Sequence, residues 1–440
     1  MTTSREQRRP RLRGNRLAVV AAVSLAAAVR IAVVMFGKTY AFPSEWDYGF
    51  EMGRIAAALA EGHGFSCSTW HCGELGPATY RPTAWMSPLY PGLLGGLFRI
   101  FGSYSMGAAV AALLIQTAVA CACCVLLLRL GELLAGARAG FIAAALFAFY
   151  PAAVHFSTQK IWSTVPSVAL LLTLLLLVIH VSVTASIAAA ALTGVVMGLS
   201  ALMDPVAVAF YPFALLWLLA MGRARAGRTL LGIAVIVSTT VVIMSPWALR
   251  NYRVFGELVS TKSNFGHELY LGNNTLGADA DLVQTRIALM GEQPTPLLTD
   301  EERASVRESN EARQSRVYAR RALAFIRAEP AAFVKRCVQR FVRYWTVMRG
   351  LTRPGHFVAT VAFLSIVLLA AVGAYGRRMS LPVLSLVLLA VASLPLPYYL
   401  TIVEHWRYRF PVEVLLLAPA AAGIDYLIDV RAARRARVSA

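Results

Sequence analysis

Stretches of about 20 mostly apolar residues recur along the chain, among them LAVVAAVSLAAAVRIAVVMF (17–36) and LPVLSLVLLAVASLPLPYYL (381–400). At the rise of an α-helix, a run of that length matches the thickness of a bilayer's hydrocarbon core. It has to be helical there, because lipid offers no partner to an exposed backbone N–H or C=O. About ten such spans are expected, near residues 17–36, 106–128, 139–153, 162–181, 186–203, 205–221, 229–249, 356–375, 381–400 and 410–428. With 58% hydrophobic and only 15% charged residues, a set of soluble domains is excluded. The expected fold is an all-α, polytopic integral membrane protein.

A net charge of +19 would suggest nucleic acid as a partner of a soluble protein. Here the arginines sit beside apolar spans, so no nucleic-acid partner is inferred and the partner is the bilayer itself. Of the short loops expected inside, RLGELLAGARAG, GRARAGR and YGRRMS and the tail RAARRARVSA carry arginine and VSVTAS does not, whereas HFSTQKI and MDP, expected outside, carry almost none. The positive-inside rule then puts both termini in the cytoplasm of a multi-pass plasma-membrane protein. The expected organisation is a basic tail (1–16), a bundle of seven spans (17–249) with an outer loop at 37–105, an outer helical segment (250–355), three further spans (356–430) and a basic tail (431–440).

In the first outer loop, SEWDYGFEMGRIAAALAEGHGF reads as a short amphipathic helix on the membrane surface, followed by a turn at Gly62 and Gly64. Asp47, Glu51 and Arg54 are spaced i, i+4 and i+7 and would share one face of it. Such a cluster is either a general base tuned by its neighbours or a solvated face with an ordinary ion pair. Prolines at 82, 88 and 91 force an irregular segment in PTAWMSPLYP, with Trp85 and Tyr90 suited to the headgroup belt. Cys67 and Cys72 suit a small disulfide loop, while a zinc site with His71 lacks a fourth ligand. Cys121, Cys123 and Cys124 lie in an apolar span as core thiols.

Several motifs together resemble the GT-C superfamily of membrane glycosyltransferases, in particular the relatives of the dolichyl-phosphate-mannose protein mannosyltransferases and aminoarabinose transferases. They are an acidic residue just after the first span, GRIAAALAEGHGF, PTAWMSPLYPGLLGGLFRIFG, SPWALRNYRVFGEL, NFGHELYLGNN and YYLTIVEHWRYRFPVE, spread over nearly the whole chain. The resemblance implies a GT-C-like fold with two large outer segments. It also implies transfer of a sugar from a polyprenyl-phosphate-sugar donor to a hydroxyl of a glycan, lipid or protein acceptor, with inversion. By position the catalytic base falls on Asp47 or Glu51. Many relatives have an Asp-Glu pair before a tyrosine, and this chain has Glu45-Trp46-Asp47-Tyr48, so the choice between the two stays open.

Residues 250–355 turn polar, with charge patterning of one or two helices over the bundle. Basic side chains at span ends are candidates for the donor phosphate, because guanidinium and ammonium groups pair with phosphate oxygens. They are Arg54, Arg81, Arg250, Lys262, His267, Arg407 and Arg409, each to be weighed against simple snorkelling to the interface. No metal ligand set and no cofactor emerges, and participation of a divalent metal stays open. Asn273 and Asn274 serve a turn or bind sugar hydroxyls. Two other classes fit ten spans. A transporter or flippase of lipid-linked sugars would show paired repeats and ionisable groups in several spans, and polar groups such as Arg30, Gln116 and His180 are few. A non-catalytic scaffold of envelope assembly would need neither acidic residue.

Overall fold

A computed structural model of the chain describes residues 15–41, 48–67, 80–275, 298–346, 354–376, 379–402 and 406–438. Each of the expected apolar stretches coincides with helix, but they differ in length. Among the described residues, seven helical stretches are long and apolar enough to cross a membrane: Val19–Gly37, Met106–Ala135, Thr164–Thr184, Arg223–Phe255, Phe357–Gly376, Leu381–Leu400 and Phe410–Val438. An eighth candidate is bent by 53° between Ala137–Phe149 and Pro151–Thr158. Ile187–Met203 and Pro205–Met221 are shorter, at about 26 Å of rise against a core of about 30 Å. The protein is therefore a polytopic, all-α membrane protein.

The elements, in chain order, begin with α1 (Asn15–Gly37), α2 (Glu51–Ala60) and the short strands β1 (Ser66–Cys67) and β2 (Arg81–Pro82). The strands pair antiparallel, Ser66 opposite Pro82 and Cys67 opposite Arg81. Next come α3 (Leu89–Phe101), α4 (Met106–Ala135), α5 (Ala137–Phe149), α6 (Pro151–Thr158), α7 (Thr164–Thr184), α8 (Ile187–Met203), α9 (Tyr211–Met221) and α10 (Ala226–Phe255). The second polar segment holds α11 (Phe265–Gly272), α12 (Asp300–Glu308), α13 (Glu311–Ala328) and α14 (Pro330–Trp345). It is thus more helical than the one or two helices its charge pattern suggests. The chain then forms α15 (Pro354–Gly376), α16 (Leu381–Ser393), α17 (Leu396–Leu400) and α18 (Phe410–Val438).

Contacts between loops sort the helix ends into two sets. At one end Ser380 N–H donates to Leu134 O at 2.9 Å, Arg225 reaches Val183 O at 3.4 Å, and Arg138 pairs with Asp425 and Asp429. At the other, Ser263 N–H donates to Ala84 O at 2.9 Å, and Arg340 to Leu400 O at 3.1 Å. Both polar segments therefore share one end of the bundle. The hub is α18, which buries Phe410 to Ala422 almost without a break and packs against α4, α5, α7, α15 and α16.

The break between α5 and α6 has a local cause. Pro151 has no N–H to offer Phe147 O, one helical turn back. Arg30, fully buried in α1, supplies the missing donors to Ala148 O at 3.3 Å and Phe147 O at 3.5 Å, and its guanidinium lies 5.2 Å from the Phe147 ring centroid. An intramembrane arginine that looked like a polar exception is the partner of a broken helix.

Glu311 clamps the two polar segments together. It opens α13 and accepts hydrogen bonds from Thr83 Oγ1 at 2.7 Å, Ser263 Oγ at 2.9 Å and the Ala84 N–H. Trp85 and Tyr90 are not headgroup anchors: Trp85 is buried against Ile55 and Cys67, and Tyr90 donates to Gln116 Oε1 at 3.1 Å. His71 and Cys72 lie outside the described residues. Asn273 and Asn274 cap α11, donating to Leu269 O at 2.8 Å and Tyr270 O at 3.0 Å.

Candidate functional site

At the end that carries the polar segments, the start of α2, the α6–α7 turn, α17 and the approach to α18 converge. Gly49 and Phe50 precede α2 with φ of 77° and 48°, both in the left-handed region. A side chain at Gly49 would collide with Trp162, its Cβ only 3.1 Å from Trp162 Cδ1, so glycine lets this turn lie against the indole. Phe50 is a non-glycine residue held in that region, a conformation that persists only when its surroundings enforce it. The left-handed pair also corrects the expected helix. That helix begins at Glu51, and of the expected face Glu51 and Arg54 lie on it. Asp47 itself lies outside the described residues.

Trp162 is the floor of this end. Arg407 Cζ lies 4.6 Å and Lys160 Nζ 5.8 Å from its ring centroid, so two cations share one indole. The turn that presents Lys160 and Trp162 is tied down by Gln116 of α4. Its Nε2 donates to Lys160 O at 2.8 Å, and its Oε1 accepts from the Trp162 N–H at 3.2 Å. Burial works against the charge on Arg407, but its contacts with Tyr408 and the nearby Glu51 carboxylate outweigh this and hold its pKa above the ordinary value. Glu51 and Arg407 are thus brought into electrostatic reach from opposite ends of the sequence. Arg54, one turn further along α2, lies over the Phe50 ring at 4.5 Å.

Aromatic rings complete the wall. Tyr408 stacks on Tyr398 at 4.4 Å, Trp406 meets His155 at 4.8 Å, and Trp345 Nε1 donates to Tyr399 Oη at 2.7 Å. Beneath it, Arg409 turns inward. Its side chain is 1% exposed and donates through Nε to Glu413 Oε1 at 2.6 Å, while Tyr150 Oη donates to Glu413 Oε2 at 2.6 Å.

Of the cations singled out in sequence, Arg54 and Arg407 therefore stand at this end with Glu51. Arg409 is committed to an internal ion pair. Arg250 serves as a clamp, donating to Thr83 O and Phe65 O at 2.7 Å. His267 is buried between the rings of Trp85 and Tyr318, Arg81 is exposed on β2, and Lys262 is half-buried beside the Glu311 clamp. Lys160 and Trp162 were passed over, although LysIleTrp between two apolar spans carries a signal: a lone cation next to an indole at a span boundary.

This arrangement of spans and polar segments is a GT-C-like fold. Its likeness to solved structures is in the fold: an Archaeoglobus fulgidus oligosaccharyltransferase in the apo form matches with a TM-score of 0.53 at 15% identity over 96% of this chain. The oligosaccharyltransferase AglB of Archaeoglobus fulgidus, in complex with an inhibitory peptide and a dolichol-phosphate, matches with a TM-score of 0.52 at 14% identity over 95% of this chain. The chain spans 52% and 51% of those two proteins, about half their length. ArnT from Cupriavidus metallidurans, bound to undecaprenyl phosphate, gives a TM-score of 0.40 at 14% identity, covering 92% of this chain and 77% of its own. No family model and no curated protein matches the sequence.

Proposed function

We propose that the chain is a membrane glycosyltransferase that takes its sugar from a polyprenyl-phosphate-linked donor and passes it to a hydroxyl acceptor on the non-cytoplasmic face. The observation that carries this reading is the pair of cations, Arg407 and Lys160, over Trp162, with the Glu51 carboxylate in electrostatic reach. Two cations beside an aromatic floor suit a phosphate that becomes more negative as it leaves. A carboxylate close by suits a proton acceptor. The fold likeness, to an oligosaccharyltransferase in complex with an inhibitory peptide and a dolichol-phosphate, points the same way.

In the proposed step the acceptor oxygen attacks the anomeric carbon, and the bond from that carbon to the phosphate oxygen breaks. The acceptor proton passes to Glu51 or to Asp47, and the polyprenyl phosphate departs with the electron pair, held by Lys160 and Arg407. One displacement inverts the anomeric centre. Both termini lie in the cytoplasm under this reading, which the arginine-bearing short loops favour.

The test is sugar transfer in membranes from a panel of polyprenyl-phosphate sugars, comparing the parent with Glu51→Gln and Asp47→Asn. Loss of transfer in one variant, by about 100-fold or more, is expected of the residue that takes the proton. Transfer at the parental rate in both variants would remove the mechanism.

A further inference from the structure

Helix α14 carries two of its four charges, Arg336 and Arg340, on the inside. Arg336 and Arg340 are 7% and 8% exposed and Tyr344 1%, whereas Val334, Val338, Phe341 and Val342 are 58%, 56%, 50% and 50% exposed. The four apolar positions follow the i, i+4, i+7, i+8 spacing of one helix face. The buried arginines are spent on helix ends. Arg336 donates to Asn274 O at 3.0 Å, just past α11, and Arg340 to Tyr399 O at 3.2 Å and Leu400 O at 3.1 Å, at the end of α17. Carbonyls at and just past helix ends take such donors readily, and a guanidinium satisfies them with favourable charge.

A helix standing in water would present the opposite face. Two further observations say what covers this one. Trp345, on the same side of the helix, has its ring 6.2 Å from that of Phe363 in α15, a helix long and apolar enough to span the membrane. The outward side chains of α15 include Phe357 at 58%, Val361 at 46%, Leu364 at 52% and Leu368 at 66% exposure, so the apolar surface of α14 runs on into a lipid-facing surface. Along one edge of the stripe stand Lys335, Gln339 and Arg343, placed for headgroup phosphates and water.

We infer that α14 lies in the plane of the membrane–water interface, its Val334–Val338–Phe341–Val342 stripe sunk into the acyl layer of the leaflet at the site's end of the bundle. The partner is lipid, and the second polar segment is a membrane-docked element. Because its inner face grips α11 and α17, and Phe341 meets the Tyr399 ring at 5.4 Å, the depth of α14 sets the height of the aromatic wall above the leaflet.

The experiment places nitroxide labels at Val338→Cys, Val342→Cys and Gln339→Cys in the full chain reconstituted in phospholipid vesicles. The signal of the parent with its native cysteines is subtracted. Relaxation by oxygen, which concentrates in the acyl layer, is compared with relaxation by a water-soluble nickel chelate. At 338 and 342 the expected result is strong relaxation by oxygen and loss of the nickel effect, with the nickel effect retained at 339. Equal nickel access at all three positions would overturn the inference in favour of water. Exclusion of both reagents at 338 and 342 would overturn it in favour of a protein partner or a second copy of the chain. None of these readings depends on transferase activity.

Discussion

A single residue, Tyr408, separates Arg407 from Arg409 in a 3-10 turn that runs into α18, so their side chains diverge. Arg407 faces Trp162 at the end of the bundle, and Arg409 faces Glu413 inside it. Their substitutions should therefore fail in different ways. Under the proposed function, Arg407→Gln would remove a charge-assisted contact with the donor phosphate worth about 1.5–3 kcal/mol, and donor affinity is expected to fall by about 10- to 100-fold in a titration with polyprenyl-phosphate sugar. Its thermal midpoint should stay near the parent's. Arg409→Met strands a buried carboxylate and Glu413→Gln a buried guanidinium, each expected to cost about 3–5 kcal/mol of stability. The double variant should cost less than the sum, read from thermal unfolding of the four proteins in one detergent. The sequence does hold the clue to this pair, since Arg409 and Glu413 are four apart where the last span begins. It holds no clue to Tyr150, which reaches Glu413 from a helix break 263 residues away.

Among the elements, α2 was legible as to type and not as to start. Its apolar spacing gave a short amphipathic helix, but nothing in GlyPhe announces two successive left-handed residues, and these set the helix start at Glu51. The clamp at Glu311 was invisible for a related reason: its donors come from residues 83, 84 and 263, distant in sequence. Its chemistry sets a pH dependence. Burial raises the Glu311 pKa, opposed by the bonds from Ala84, Thr83 and Ser263 and by the charge on Arg250. An acid whose folded pKa is raised contributes stability that is complete below its unfolded value and is lost as pH climbs through the folded one. Limited proteolysis of the second polar segment should therefore quicken as the pH rises from about 4 toward 8. Glu311→Gln, uncharged throughout, should flatten that rise. Glu311→Ala, without any acceptor, should loosen the segment at every pH, by about 3 kcal/mol for three lost bonds.

For the molecule as a whole, hydropathy located the apolar helices, of which seven among the described residues, or eight with the bent pair, are long enough to cross a membrane rather than the ten expected. Which span forms the centre was not legible, because an apolar helix reads alike whether lipid or protein surrounds it. Its small residues are the best trace: AlaProAlaAlaAlaGly runs through the most buried stretch of α18. There the α15–α18 crossing is so close that a Cβ on Gly423 would run into Leu369 O, and one on Gly373 would meet Pro419 O at 2.5 Å. These neighbours are backbone atoms and cannot rotate aside, so Gly423→Ala has to push the two helices apart. The expected cost is about 1–3 kcal/mol, and because α18 also packs against α4, α5, α7 and α16 the loss should appear as one cooperative shift of the unfolding midpoint. Gly96→Ala provides the contrasting case: it lies inside α3, exposed, with open space around the new methyl. There alanine narrows only the unfolded ensemble and should stabilise by about 0.5–1 kcal/mol. Midpoints moving in opposite directions, measured in the same detergent, would show that the crossing holds the bundle together by backbone proximity. A Gly423→Ala midpoint at or above the parent's would mean that α15 has room to give.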